Sequence, residues 1–295
     1  MKPIFMTHHK CASAWLSDVF HDYYCVRRGL PAYATHRSDE FPPDAARFQF
    51  LIFGNASWNF LKDKVDRAVH IVRNPLAILV SSYFSHIKTH PIDTWPLLAK
   101  QRKRLETLDI RRGLVATNEF IRSRDGFHEG VVGPLAAMKE FDYDDDRVLT
   151  LRMEDVVRDP TPIFERIFEH FGEHMPEDFS AHVARHDFRA KSGGRAPGQA
   201  SDAGSHYRSG DPNDWAKHLT LRFARQIYQQ NRELMDRYYP ETVEEFELAP
   251  AQGIIYRISD YVRLPRDASI ASRGLIAHEP CAYGRRSSGG RVFFS

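Results

Sequence analysis

The sequence predicts an α/β protein, a three-layer domain whose central, mostly parallel sheet is flanked by helices. Two observations carry that expectation. Short apolar runs of strand length alternate with segments whose apolar residues recur at helical spacing. Cationic or acidic residues also stand where several of those runs end: Lys10, Arg73 and the segment after Glu154. In open parallel sheets ligands sit beyond the carboxyl ends of the strands, so three separated stretches point to one rim.

Taken in order, residues 4–7 read as a brief buried strand. A tight turn with Lys10 follows, then a helix over 13–28 with Trp15, Leu16, Val19 and Phe20 on one face. Ser13 suits its N-cap. Strand, cationic turn and helix N-terminus together can hold a phosphate, because the first free N–H groups and the helix dipole both favour an anion. The plainer reading is an ordinary βα unit with a solvated lysine, since no Gly-rich Walker pattern is present. Residues 29–43 are polar and turn-rich and contain His36, Asp39 and Glu40. The second strand is 48–53, ended by Gly54-Asn55. The third is 67–73, stopped by Asn74-Pro75, with Pro75 at the first turn of a helix reaching residue 87. Residues 89–133 break the rhythm and predict an insertion that forms a lid or substrate-recognition cap, with helices at 95–108 and 114–122. A short helix over 134–141 and a fourth strand over 148–153 come next. Helices at 160–171 and 176–185, a Gly/Ser/Arg/Pro-rich loop at 190–213 and one long helix at 219–239 complete the body. The expected division is a domain over 1–248 and an extension over 249–295, which either packs on the body, stays disordered or mediates a homodimer.

Composition narrows the function classes. With 295 residues the chain can bury a large core. A net charge of +2 offers no global field for nucleic acid, so any anion site must be local. Cys11, Cys25 and Cys281 are odd in number and at no metal spacing, which fits free thiols in a reducing compartment. Cys11 lies in the phosphate turn and reads as a small lining residue rather than a nucleophile. No run reaches membrane-span length and no leader pattern opens the chain, so the expectation is a soluble, cytoplasmic protein.

Two further patterns carry chemistry. Arg73 ends a strand, and Ser81 lies eight residues on, two turns into the next helix. A guanidinium there can clamp a phosphate bidentately while the hydroxyl reaches its other side. Arg208-Ser209-Gly210 offers charge, hydroxyl and close backbone approach in a loop before a helix. The plain alternatives are a sheet-capping arginine and an ordinary surface loop.

Together these stretches resemble the sulfotransferases that use 3′-phosphoadenosine 5′-phosphosulfate (PAPS). The family's Lys-Ser-Gly-Thr-Thr-Trp loop is similar to Lys10-Cys11-Ala12-Ser13-Ala14-Trp15. Its Arg-Asp/Asn-Pro…Ser signature matches Arg73-Asn74-Pro75 and Ser81. Its Tyr-Glu-Asp segment appears as Met153-Glu154-Asp155, and its late Arg-Lys-Gly…Gly-Asp-Trp-Lys pattern as Arg208-Ser209-Gly210 through Trp215 and Lys217. The matches run in family order over about residues 3 to 240. His8-His9-Lys10-Cys11 looks like bacterial members.

The resemblance implies a P-loop-like fold and metal-free sulfuryl transfer that leaves adenosine 3′,5′-bisphosphate (PAP). Lys10 would neutralise the leaving oxygen. The N–H groups of Ala12 to Ala14 and the Ser13 hydroxyl would hold the 5′-phosphate. Trp15 and Phe188 would contact adenine, and Arg73, Ser81, Arg208, Ser209 and Gly210 would form the 3′-phosphate site. Four positions depart from the pattern: Ala12 for glycine, Ala14 for threonine, Met153 for tyrosine and Ser209 for lysine. The histidine that many members place after the second strand is Asn55 here. General-base candidates are therefore His9, His86, His90, Asp39 and Glu40, with His9 and His90 leading. The acceptor reads as a small molecule or saccharide, with the basic residues of the insertion (Arg102, Lys103, Arg104, Arg111, Arg112) as a pointer to an anionic one. Competing readings are a non-catalytic PAP-binding protein of the same fold and a P-loop nucleotide kinase, which would need the missing Walker loop.

Overall fold

Five parallel strands frame the protein in the computed structural model, which describes residues 3–93, 95–199, 208–252 and 292–293. They are β1 (Ile4–Met6), β2 (Ala32–Thr35), β3 (Leu51–Phe53), β4 (Ala68–Val72) and β5 (Val148–Arg152), ordered β5-β4-β1-β3-β2 across the sheet. A two-residue strand, β6 (Val292–Phe293), pairs antiparallel with Ala32 and Tyr33 at the β2 edge. β1 lies central, with Ile4 opposite both Leu51 and Ala68.

The strands are short, and β1, β3 and β4 are buried on both faces, which explains their largely apolar sequence. Their side chains alternate between two cores. Ile4, Met6, Leu51, Phe53, Ala68 and Val72 face one core; Phe5, Ile52, Val69 and Ile71 face the other.

Thirteen α-helices are found among the described residues. They are α1 (Ser13–Phe20), α2 (Trp58–Leu61), α3 (Pro75–Phe84), α4 (Pro96–Glu106), α5 (Ile110–Ile121), α6 (Pro134–Lys139), α7 (Met153–Arg158), α8 (Pro160–His170), α9 (Phe179–Ala184), α10 (Phe188–Lys191), α11 (Leu221–Gln230), α12 (Arg232–Tyr238) and α13 (Pro240–Gln252). Residues of α1, α8 and α9 pack in the Phe5 core, while α3 to α6, α11 and α12 pack in the other. A π-helical segment, His21–Val26, extends α1, and another, Ser85–Thr89, extends α3. No helix among the described residues is long and apolar enough to cross a membrane.

Four expectations are corrected. β2 forms inside the stretch expected to be a polar loop; its hydrogen bonds come from β3 (Tyr33 opposite Leu51), so pairing rather than local pattern makes it a strand. The fourth strand stops at Arg152, and α7 begins directly at Met153. The long helix over 219–239 is two helices broken at Asn231. That residue leaves helical geometry (φ −130°, ψ 31°), and its side-chain amide donates to the Ile227 carbonyl at 2.8 Å. Finally, α1 is preceded by Ala12 at its N-cap, not Ser13, and no side chain caps it. The boundary expected at 248 falls within α13, and Cys281 lies outside the described residues.

Candidate active site

The turn after β1 is built from backbone that side-chain-bearing residues rarely adopt. Lys10 (φ 67°) and Ala12 (φ 60°) both sit in the left-handed region. Each costs about 1 kcal/mol relative to an ordinary conformation, and a glycine at either would relieve it. The strain persists because the turn is held from inside. Cys11 is fully buried, and its N–H donates to the His8 carbonyl at 2.9 Å. Burial pushes the Cys11 thiol far above its ordinary pKa, so it lines the turn as a neutral thiol and not as a nucleophile. The uncapped first turn of α1 then presents its N–H groups, which have no intrahelical partners, beside Lys10.

The end of β4 docks on this turn. The Arg73 Nη1 donates to the Lys10 carbonyl at 2.8 Å. The Arg73 Nε is buried without a hydrogen-bond partner, a donor that a bound anion would satisfy. Asn74 caps α3 by accepting from the Leu76 N–H at 3.0 Å, and its side-chain amide donates to Thr242. Glu154 holds the junction. Its buried carboxylate accepts from the Asn74 N–H (3.1 Å) and the Tyr239 hydroxyl (3.0 Å). The sequence marked Glu154 as a motif residue but gave no sign that it fastens β4 to the helix pair α12–α13. Ser81 lies partly buried on α3.

The 208–210 loop closes the third side. Arg208 pairs with Asp214 and lies over the Phe84 ring, 4.4 Å from its centre. Asp214 is almost wholly buried and also accepts from His218 (3.2 Å) and Lys217 (3.3 Å). Burial alone would raise its pKa, but the His218 and Arg208 hydrogen bonds hold it well below the usual carboxylate range. The Arg195 Nη1 donates to the Arg208 carbonyl, and the Gly198 N–H donates to the Ser209 carbonyl, both at 2.8 Å. Gly210 (φ 65°) is pressed against Phe188; a Cβ there would stand 2.7 Å from the ring. Ser209 is buried.

Lys10, Arg73 and Arg208 thus converge. Burial, then Arg73 and Arg208, lowers the Lys10 pKa to about 7. Neither Lys10 nor Arg73 has an ion-pair partner among the described residues. Such a cluster is electrostatically incomplete without an anion.

Histidines line the other side of Lys10. The Nε2 atoms of His9 and His86 meet at 3.2 Å, and the His9 and His90 rings lie 5.3 Å apart. Trp95 and Phe127 from the insertion pack edge-on against His9. Burial, then His90, Lys10 and Arg102, keeps the pKa of His86 well below its ordinary value. Arg102 fixes the π-helical turn, donating to the His86 carbonyl at 2.6 Å and the His90 carbonyl at 2.7 Å. The sequence groups Arg102 with the basic residues that point to an anionic acceptor; here its guanidinium donates to these two backbone carbonyls. Asp39 and Glu40 are instead engaged by Arg37, which also donates to the Glu129 carbonyl. Asn55 donates to the His36 carbonyl. Trp15 is 9% exposed, and its indole N–H donates to the His186 carbonyl at 2.6 Å, tying α1 to the segment that carries Phe188.

A family model described as the sulfotransferase domain matches residues 57–239. The chain belongs to the sulfotransferase family. In this sulfotransferase the matched span includes Arg73, Ser81, Glu154 and the 208–210 loop and begins after the Lys10 turn. Two solved structures are similar in fold. One is mouse sulfotransferase SULT7A1 complexed with PAP, at 17% identity and TM-score 0.51, covering 79% of this chain and 84% of that one. The other is retinol dehydratase in complex with androsterone and the inactive cofactor PAP, at 12% identity and TM-score 0.51, covering 81% and 82%. The three-layer, P-loop-like architecture expected from sequence is the one these proteins share. A search of curated protein sequences returns no match.

Proposed function

We propose that this sulfotransferase takes its sulfuryl group from PAPS and passes it to a hydroxyl or amine of a small-molecule or saccharide acceptor. The observation that carries the reading is the convergence of Lys10, Arg73 and Arg208 at the uncapped N-terminus of α1, with the Arg73 Nε left unpartnered. The α1 N–H groups and Ser13 would hold the 5′-phosphate. Arg73, Ser81, Arg208, Ser209 and Gly210 would form the 3′-phosphate side. Phe188 would contact the adenine, supported from behind by Trp15 through the His186 carbonyl.

In the transfer itself the acceptor oxygen or nitrogen bonds to sulfur as the sulfur–oxygen bond to the 5′-phosphate breaks. Lys10 neutralises the charge that develops on the departing oxygen. His9, with His86 and His90 behind it, takes the acceptor proton. Positioning and electrostatics supply most of the rate. The cysteines Cys11 and Cys25 are free thiols, which supports a reducing, cytoplasmic setting. The His8-to-Cys11 turn supports the likeness to bacterial members.

The non-catalytic alternative draws on Ala12, Ala14 and Asn55. The turn adopts its left-handed geometry at Ala12 without a glycine, which weighs against loss of the site. The deciding experiment pairs ligand-dependent melting with a transfer assay. PAP should raise the melting temperature where ATP with Mg²⁺ does not, and Lys10→Ala should abolish transfer while keeping the fold. Equal shifts from both ligands, or none, would remove the reading. PAP binding with no transfer to any acceptor across a broad screen would favour the non-catalytic one.

A further inference from the structure

Asp22, His182 and His186, none of them used by the proposed transfer site, form a compact group where the extension of α1 meets α9. Asp22 lies in the π-helical extension of α1, His182 on α9 and His186 just beyond it. The Asp22 Oδ2 stands 3.2 Å from the His186 Nε2 and 3.7 Å from the His182 Nδ1, and the three atoms lie within 4.8 Å of one another. Ligands about 2.0–2.1 Å from a tetrahedral ion are separated by roughly 3.3–3.4 Å, close to this spacing.

A second observation concerns the ring nitrogens. The His182 Nε2 lies 2.9 Å from the Val19 carbonyl and must donate to it. The Arg185 Nη2 approaches the His182 Nδ1 at 3.0 Å, so that atom carries the lone pair. A fully buried imidazole fixed by a backbone carbonyl, with its other nitrogen aimed at a histidine and a carboxylate, is the arrangement that orients metal-ligating histidines. The His186 Nδ1 lacks such a partner, which makes it the more easily displaced ligand. Arg185 is exposed and can turn outward to solvent.

We infer that Asp22, His182 and His186 form a site for a divalent transition ion of the Zn²⁺ class, with water completing a tetrahedron. Two nitrogens and one carboxylate oxygen suit Zn²⁺ over Mg²⁺ or Ca²⁺. The ion would play no part in sulfuryl transfer. It would pin the end of α1 to α9, and so brace His186, whose carbonyl holds Trp15, and Phe188, on which Gly210 rests.

The test is calorimetric titration of chelator-treated, full-length protein with Zn²⁺, alongside the visible absorption of the Co²⁺ form. The expected result is one saturable ion per chain with a tetrahedral Co²⁺ spectrum. Asp22→Asn and His186→Gln, both at partly exposed positions, should each weaken binding by about 10- to 100-fold or more. Arg185→Gln should tighten it, because a competing cation is gone. Absence of saturable binding, or an affinity unchanged in all three variants, would overturn the inference and assign any uptake to other histidines.

Discussion

At the scale of single residues, the proposed function makes Lys10 the group that should set the pH response of donor-nucleotide binding. Its pKa is held near 7 by burial and by Arg73 and Arg208. A bound phosphate supplies the missing negative charge and raises it. Binding therefore takes up a proton above pH 7, and PAP affinity should fall by up to about tenfold per pH unit as pH rises from 7 toward the bound-state pKa. The secondary phosphate pKa lies near 6, so the ligand's own charge is constant over that range. Titration in buffers of different ionisation heat measures the proton directly, and Lys10→Met should erase the slope. Ala12 makes a second point. Ala12→Gly removes a left-handed alanine, and the net gain after the extra freedom of unfolded glycine is about 0.5–1 kcal/mol, visible in chemical denaturation.

At the scale of elements, buried carboxylates hold the neighbour of Arg73, and Arg208 itself, in place. Glu154 joins β4, α7 and the turn between α12 and α13 through two hydrogen bonds. Glu154→Ala would leave the Asn74 N–H and the Tyr239 hydroxyl unsatisfied, at a cost of about 2–4 kcal/mol. It should also raise the KM for the donor nucleotide more than it lowers kcat, because Arg73 loses its anchored neighbour. Asp214 does the same for Arg208, but as an ion pair. Asp214→Ala would strand Arg208 beside His218 and Lys217 and cost about 3–5 kcal/mol. Since its folded pKa is depressed, the stability it contributes is complete above pH 4 and is lost only as pH falls below that.

At the scale of the whole molecule, acid sensitivity comes instead from the histidines packed around β1 and β4. His8 and His70 share a hydrogen bond at 2.7 Å and are fully buried, as is His86. Burial lowers all three, His8 to about 3. Between those folded-state values and 6.5 the unfolded chain binds more protons than the native one. Stability should fall by about 1.4 kcal/mol per pH unit for each histidine as pH drops below 6.5, some two units before Asp214 contributes. Urea denaturation from pH 7 to 5 measures this, and His86→Gln should reduce the slope by about a third. Ligand binding acts on the same global equilibrium. At PAP concentrations about 100 times Kd, the stabilisation of about 2.7 kcal/mol corresponds to a rise of roughly 4–5 °C.

Much of this protein was legible from sequence because its signals are local. β1, β3 and β4 are buried on both faces, so their apolar runs stand out, and Asn74-Pro75 announces α3. The Lys10 turn and the Arg73 and Arg208 stretches are singled out in the same way, through residue types at strand ends and in a loop, and the anion site they are proposed to form rests on their meeting in space. What only the tertiary structure decided depends on partners far along the chain. β2 is a strand because Leu51 lies opposite Tyr33. Glu154, Asp214 and Arg102 became anchors only once folding buried them against Asn74, Arg208 and the carbonyls of His86 and His90. The sequence by itself determined which groups could bind phosphate. The tertiary structure decided which of them meet, because charge and burial add in space, and distance along the chain says little about either.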